Sequence, residues 1–130
     1  MDLNRLKAYK TNIPEMDTED LVQANLMEDL EKCIINNLPT KCVLIRIEQS
    51  IIKHFASEER FMERMGFPYR KIHKRRHKEL VHDFSALTHL HDENHQITDM
   101  DTVEKMFNLF LEHIVNYDSQ YVDYMRSKGN

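Results

Sequence analysis

His54 and Glu58 stand four residues apart, His73 and His77 four apart, and His113 and Asp118 five apart. A step of four places two side chains one turn apart on the same face of a helix, where both reach one point beside the axis. Three helices turning such pairs toward a common centre would enclose a pocket lined with nitrogen and carboxylate ligands. Asp20 is a seventh candidate. The five-residue step from His113 to Asp118 is off the helical period. A local π-type widening would bring both inward, and such bulges favour functional sites.

Singly, each of these residues has an ordinary explanation. A histidine on an apolar face is usually a hydrogen-bonded core residue, and a carboxylate there is usually paired or half exposed. Together they lie on the stripes that carry the core residues. Burying four imidazoles and two carboxylates without a cation costs several kcal/mol. A metal removes that cost, and mixed imidazole and carboxylate without thiolate suits iron, manganese or zinc. The set exceeds what one ion needs, so two ions bridged by Glu58 and Asp118 are the economical arrangement.

The elements that must position these ligands read as helices. Only two Gly and three Pro occur in 130 residues, a length suited to one domain with a real core. Residues 1–15 read as an extended arm, because Pro14 discourages a helix running through it. A first helix is expected from Met16–Thr18, capped by Asp17 or Thr18, to Asn36–Asn37, with Leu26, Met27, Leu30, Cys33 and Ile34 inward. Pro39 and Thr40 begin a second, running to about Met65, with Val43, Leu44, Ile47, Ile51, His54, Phe55, Glu58 and Met62 inward. After Gly66-Phe67-Pro68 a third spans about Tyr69 to His89, with Ile72, His73, His77, Leu80, Val81, Phe84 and Leu87 inward. His91–Thr98 reads as a polar loop. A fourth begins near Asp99 and carries Val103, Met106, Phe107, Phe110, His113, Ile114 and Tyr121. Residues 16–127 are thus expected to form an antiparallel up-down-up-down four-helix bundle.

Charge and composition exclude several classes. The 22 acidic and 18 basic residues leave a formal charge of −4, which argues against general nucleic-acid affinity. Arg70, Lys71, Lys74, Arg75, Arg76 and Lys78 surround His73 and His77 on outward positions and read as a solvated helix face. No apolar run is long enough for a membrane span, and MDLNRLKAYK is not a secretory signal. Cys33 and Cys42 read as free thiols in a reducing cytoplasm rather than a disulfide. His89, His91 and His95 read as loop residues, and His82 as exposed.

Three segments together resemble the hemerythrin family, most closely its bacterial single-domain and sensor-fused members. They are His54-Phe55-Ala56-Ser57-Glu58-Glu59 with Met62, then Phe67-Pro68 with His73-Lys74-Arg75-Arg76-His77, then Leu111-Glu112-His113-Ile114 with Asp118 and Tyr121. Ile13-Pro14-Glu15-Met16-Asp17 is similar to the family's entry into its first helix. The resemblance implies two non-haem irons, oxo- or hydroxo-bridged when oxidised, with O2 taken up at the less saturated one. It implies that His73, His77 and His113 hold one iron, that His54 holds part of the other, and that Glu58 and Asp118 bridge them.

The family's first-helix histidine has no counterpart, since no histidine precedes His54. The resemblance aligns Asp20 with that position. Asp20 either ligates the second iron directly or through water, or falls short and leaves water, Gln23 or Glu28 to fill in. An anionic ligand would stabilise the ferric state, and a vacancy would open the iron to peroxide, nitric oxide or a small anion. Phe110 and Leu111 are expected to line the pocket, with Gln23 and Ala24 loosening its apolar wall. The expected function is O2 or redox sensing and binding. A di-iron peroxidase, a nitric-oxide-handling enzyme and a metal-dependent module with a fused or docked signalling partner are the alternatives.

Overall fold

The computed structural model describes residues 3–88 and 99–128. Its elements are α1 (Leu3–Ala8), α2 (Pro14–Ile35), α3 (Lys41–Arg64), α4 (Arg70–Thr88), α5 (Met100–His113), a π-helical turn (Ile114–Asp118) and α6 (Ser119–Lys128). Among the described residues there is no strand, as the composition predicts. None of the helices is long and apolar enough to cross a membrane. The expected end of the third helix at His89, the loop His91–Thr98, and the histidines His89, His91 and His95 lie outside the described residues.

The N-terminal arm is not extended throughout. Leu3–Ala8 forms a short helix that buries Leu6 against α2 and ion-pairs Lys7 with Glu28. Six residues are too few for a self-sustaining helix, so packing on α2 supplies the stability that propensity lacks. The chain then turns at Asn12, whose φ of 65° suits asparagine's tolerance of the left-handed region. Pro14 sits at the first helical position, where its missing N–H is not needed, so α2 starts two residues earlier than expected. Neither Asp17 nor Thr18 caps it. The Asp17 carboxylate accepts from Thr11 N at 2.7 Å, Thr11 Oγ1 at 2.8 Å and Asn12 N at 3.2 Å, pinning the turn that precedes the helix.

Two helix ends share one device. After α2, Asn37 N donates to Ile34 O and Leu38 N to Cys33 O, with Asn37 at φ 54°. After α3, Gly66 N donates to Glu63 O and Phe67 N to Met62 O, with Gly66 at φ 69°. Both are Schellman closures, which satisfy the last carbonyls and turn the chain sharply. The second buries Phe67 against Met62, Tyr121 and Val122, tying the α3–α4 corner to α6. Asp99 caps α5 by accepting from Thr102 N at 2.7 Å.

α2 packs on α3, α3 on α4, α4 on α5, and α5 back on α2. The circuit encloses a core in which Met27, Leu30, Leu44, Ile47, Ile51, Phe84, Val103, Met106 and Phe107 are buried. The stripes predicted for α3 and α5 are buried apart from Val43, which is half-buried. Ile72 is a correction, since it is 52% exposed. It lies about 100° around the helix axis from the buried His73, on the outer side of α4. Cys33 and Cys42 are free thiols.

Candidate metal centre

α3 brings His54 and Glu58 to the interior, α4 brings His73 and His77, and α5 brings His113. A regular α-helix would swing Asp118 away from His113. The π turn over Ile114–Asp118 adds the residue that restores the phase, and Asp118 is buried beside His113. Ligand atoms of Glu58, His73, His77, His113 and Asp118 all lie within 4.8 Å of one another, and all five residues are buried. This cluster can hold a metal ion.

The remaining two candidates adjoin it. His54 Nε2 is 3.3 Å from Glu58 Oε1 and 2.9 Å from Asp20 Oδ1. Asp20 is therefore brought to the cluster by α2, at 5% exposure. Glu28, a suggested substitute, stays at the surface in ion pairs with Lys7 and Lys32. Gln23 is buried and lines the interior space beside Asp20. Leu111 is only half-buried, and Ile114 takes the lining place expected of it, next to Phe110.

Whether these residues suit a cation is decided by their unused atoms. Asp20 Oδ1, both Glu58 oxygens, Asp118 Oδ1 and the Nε2 atoms of His54, His73, His77 and His113 are buried and form no hydrogen bond. Buried polar atoms are rarely left so, and those of Glu58, His73, His77, His113 and Asp118 are close enough for one cation to serve them together. Their spacing matches that of ligands. Bonds of about 2.1 Å meeting at right angles separate two ligand atoms by about 3 Å. His73 Nε2 and His113 Nε2 each stand 3.0 Å from Asp118 Oδ1, and His77 Nε2 stands 3.5 Å from Glu58 Oε1. The donor set fits a first-row metal.

Charge in the metal-free protein follows from the same crowding. Burial opposes a charge on His113, but Asp118 outweighs it and holds the imidazole above its ordinary value. At His54 burial is likewise overcome, by Glu58, Asp20 and Glu19, which hold the imidazole well above its ordinary value. Burial pushes Asp20 up to about 6 against the pull of His54. Asp118 goes the other way: burial is outweighed by His113 and His73, which hold it well below the carboxylate range.

The outer contacts escape a reading of the sequence alone. Glu19 accepts from Ser57 Oγ at 2.9 Å, and its other oxygen lies 2.9 Å from His54 Nδ1. Burial would raise the Glu19 carboxyl, but the hydrogen bonds from His54 and Ser57 outweigh it and lower its pKa. Glu59 Oε2 lies 2.8 Å from His77 Nδ1. A carboxylate on the outer nitrogen sets the tautomer, so that Nε2 presents its lone pair inward. The only trace of this in the sequence is the pair of glutamates, Glu58-Glu59. Nothing in it links Glu19 to His54, because that contact spans two helices. Tyr121 is buried edge-on to His73 at 5.7 Å, and burial together with the Glu58, Asp118 and Asp20 carboxylates raises its hydroxyl pKa.

An interior cavity of about 10 Å³ touches Asp20, His54, Phe55, Phe110 and Ile114. That is room for about one water-sized molecule. Compared with known proteins, the chain matches no family model, no curated protein and no solved structure.

Proposed function

We propose that this chain is a hemerythrin-like non-haem di-iron protein that binds O2 in a sensing or redox-responsive role. The observation that carries the reading is the group of five buried ligand atoms from Glu58, His73, His77, His113 and Asp118 within 4.8 Å of one another. His73, His77 and His113 would hold one iron and His54 with Asp20 the other, and Glu58 and Asp118 would lie between them. The circuit of α2 to α5 contacts supports an antiparallel four-helix bundle as the frame.

Iron bound there would supply the electrons that O2 binding needs. The chain's own residues decide what else happens. Glu19 and Glu59 hold His54 and His77 by their outer nitrogens. Phe55, Phe110 and Ile114 give the cavity an apolar wall that limits access of water and protons. The cavity leaves no room for an organic substrate, which favours binding of a small ligand over turnover of a larger compound. Of the two readings of Asp20, ligation has the stronger support, because its Oδ1 is buried, unbonded and 2.9 Å from His54 Nε2.

A peroxidase or nitric-oxide-handling enzyme is the second reading. Asp20 itself favours it, since an anionic ligand beside the buried amide residue Gln23 makes this side of the pocket more polar. Iron loading followed by metal analysis tests the centre: two irons per chain with near-ultraviolet oxo-bridge absorption are expected, and one or none would sink it. A coloured oxygen adduct that bleaches on degassing supports binding. Rapid autoxidation with sustained peroxide consumption supports the enzyme.

A further inference from the structure

Phe55 belongs to two spaces at once. On one side it lines the small interior cavity with Asp20, His54 and Phe110. On the other, with His77, it forms the buried floor of an open groove between α3 and α4, of about 380 Å³. Exposed Ile52 and Ala56 and half-buried Val81 wall that groove, with Glu59 and Lys78 as its charged members. Phe55 is the one residue common to the linings of both spaces. Phe55 therefore borders both the groove and the cavity.

The ring's immediate neighbour cannot yield. Phe55 is stacked on His77 with centroids 3.8 Å apart and planes 2° apart. His77 is anchored through Nδ1 to Glu59 and, on the reading above, through Nε2 to the metal. Phe55 has no polar atom and no anchor beyond packing. Passage across this wall requires its ring to swing, on the timescale of buried side-chain rotation.

We propose that Phe55 determines which molecules reach the cavity, passing small uncharged ones such as O2 from the groove and holding back hydrated anions and peroxide. The groove floor and walls are mostly apolar, so a ligand crossing them sheds its hydration shell. That costs O2 almost nothing and costs a polar or charged molecule several kcal/mol. This inference rests on the O2-binding reading for its physiological ligand, but the passage itself can be tested without iron.

The metal-free protein is placed under oxygen pressure, and the paramagnetic relaxation that O2 induces in methyl signals is read by NMR. Leu80 and Ile114 report the cavity; Ile52 and Val81 report the groove. Read as the rate of O2 exchange with the cavity, from the field dependence of transverse relaxation, the effect at Leu80 and Ile114 is expected to slow several-fold in Phe55→Trp and to quicken in Phe55→Leu, with Ile52 and Val81 unchanged. Unchanged cavity signals in both variants overturn the proposal. If Phe55→Trp fails to fold, as judged by helical circular dichroism, Phe55→Leu decides alone. In the iron-loaded protein, Phe55→Trp should slow O2 association and dissociation together by several-fold, whatever shift in Kd the larger ring brings. Slowed dissociation with unchanged association would mark Phe55 as a contact to bound ligand and overturn its role in entry. Absence of iron loading or O2 uptake would refute the functional reading, with the metal-free measurement still deciding the passage.

Discussion

His54 Nε2 stands 2.9 Å from Asp20 Oδ1 and the two form no hydrogen bond, although both atoms are buried. An imidazole and a carboxylate this close, if alone together, would share a proton along the line between them. Here Glu58 Oε1 also approaches the same Nε2, at 3.3 Å. On the di-iron reading proposed above, Asp20 is the position on which the chemistry would turn.

Replacing the Asp20 carboxylate with a neutral ligand should make the ferrous state easier to keep. Asp20→His is expected to raise the reduction potential of the loaded protein by about 60 mV or more, a tenfold shift in a one-electron equilibrium. It should also lengthen the life of the oxygen adduct. Redox titration and the autoxidation half-life check both. An unaltered adduct lifetime would show that Asp20 does not set the chemistry.

The outer carboxylates should matter nearly as much as the ligands they hold. Glu19→Gln and Glu59→Gln are each expected to weaken metal binding by about 10- to 100-fold, because an amide orients the ring without its negative charge. Competition with a chelator measures this. Glu19→Gln should perturb the spectrum of the His54 side and Glu59→Gln that of the His77 side. Equal affinities in all three proteins would reduce Glu19 and Glu59 to surface acids.

Metal binding should release protons and weaken in acid. His54 and His113 bind protons more tightly in the metal-free protein than a free imidazole, and Asp20 titrates at about 6. As pH falls through these raised values the sites fill with protons that a metal must displace. Affinity should then fall about tenfold per pH unit for each proton displaced. The onset should lie above the free imidazole value of about 6.5. Calorimetry in buffers of different ionisation enthalpy counts the protons. A pH-independent affinity between 5 and 8 would contradict the ligand set.

Much of the site is legible in the chain itself, because helical periodicity converts spacing into direction. His54 with Glu58 and His73 with His77 declare a shared face at a step of four. The off-period step from His113 to Asp118 announces the π turn found at Ile114–Asp118. Boundaries are less legible. Leu3–Ala8 is helical only because Leu6 and Lys7 find partners on α2, and a six-residue window carries no signal of that.

By itself the sequence determined the helices after α1, nearly all the inward residues of α3 and α5, and six of the ligand candidates, since these follow from local geometry repeated along one chain. Only the tertiary structure decided the fate of Asp20, Glu28, Glu19 and Phe55. Their roles depend on which helix lies opposite, at what height and with what rotation, and no spacing within one helix carries that information. Packing turned Asp20 inward to His54, kept Glu28 at the surface with Lys7 and Lys32, put Glu19 behind His54, and left the Phe55 ring bordering both groove and cavity.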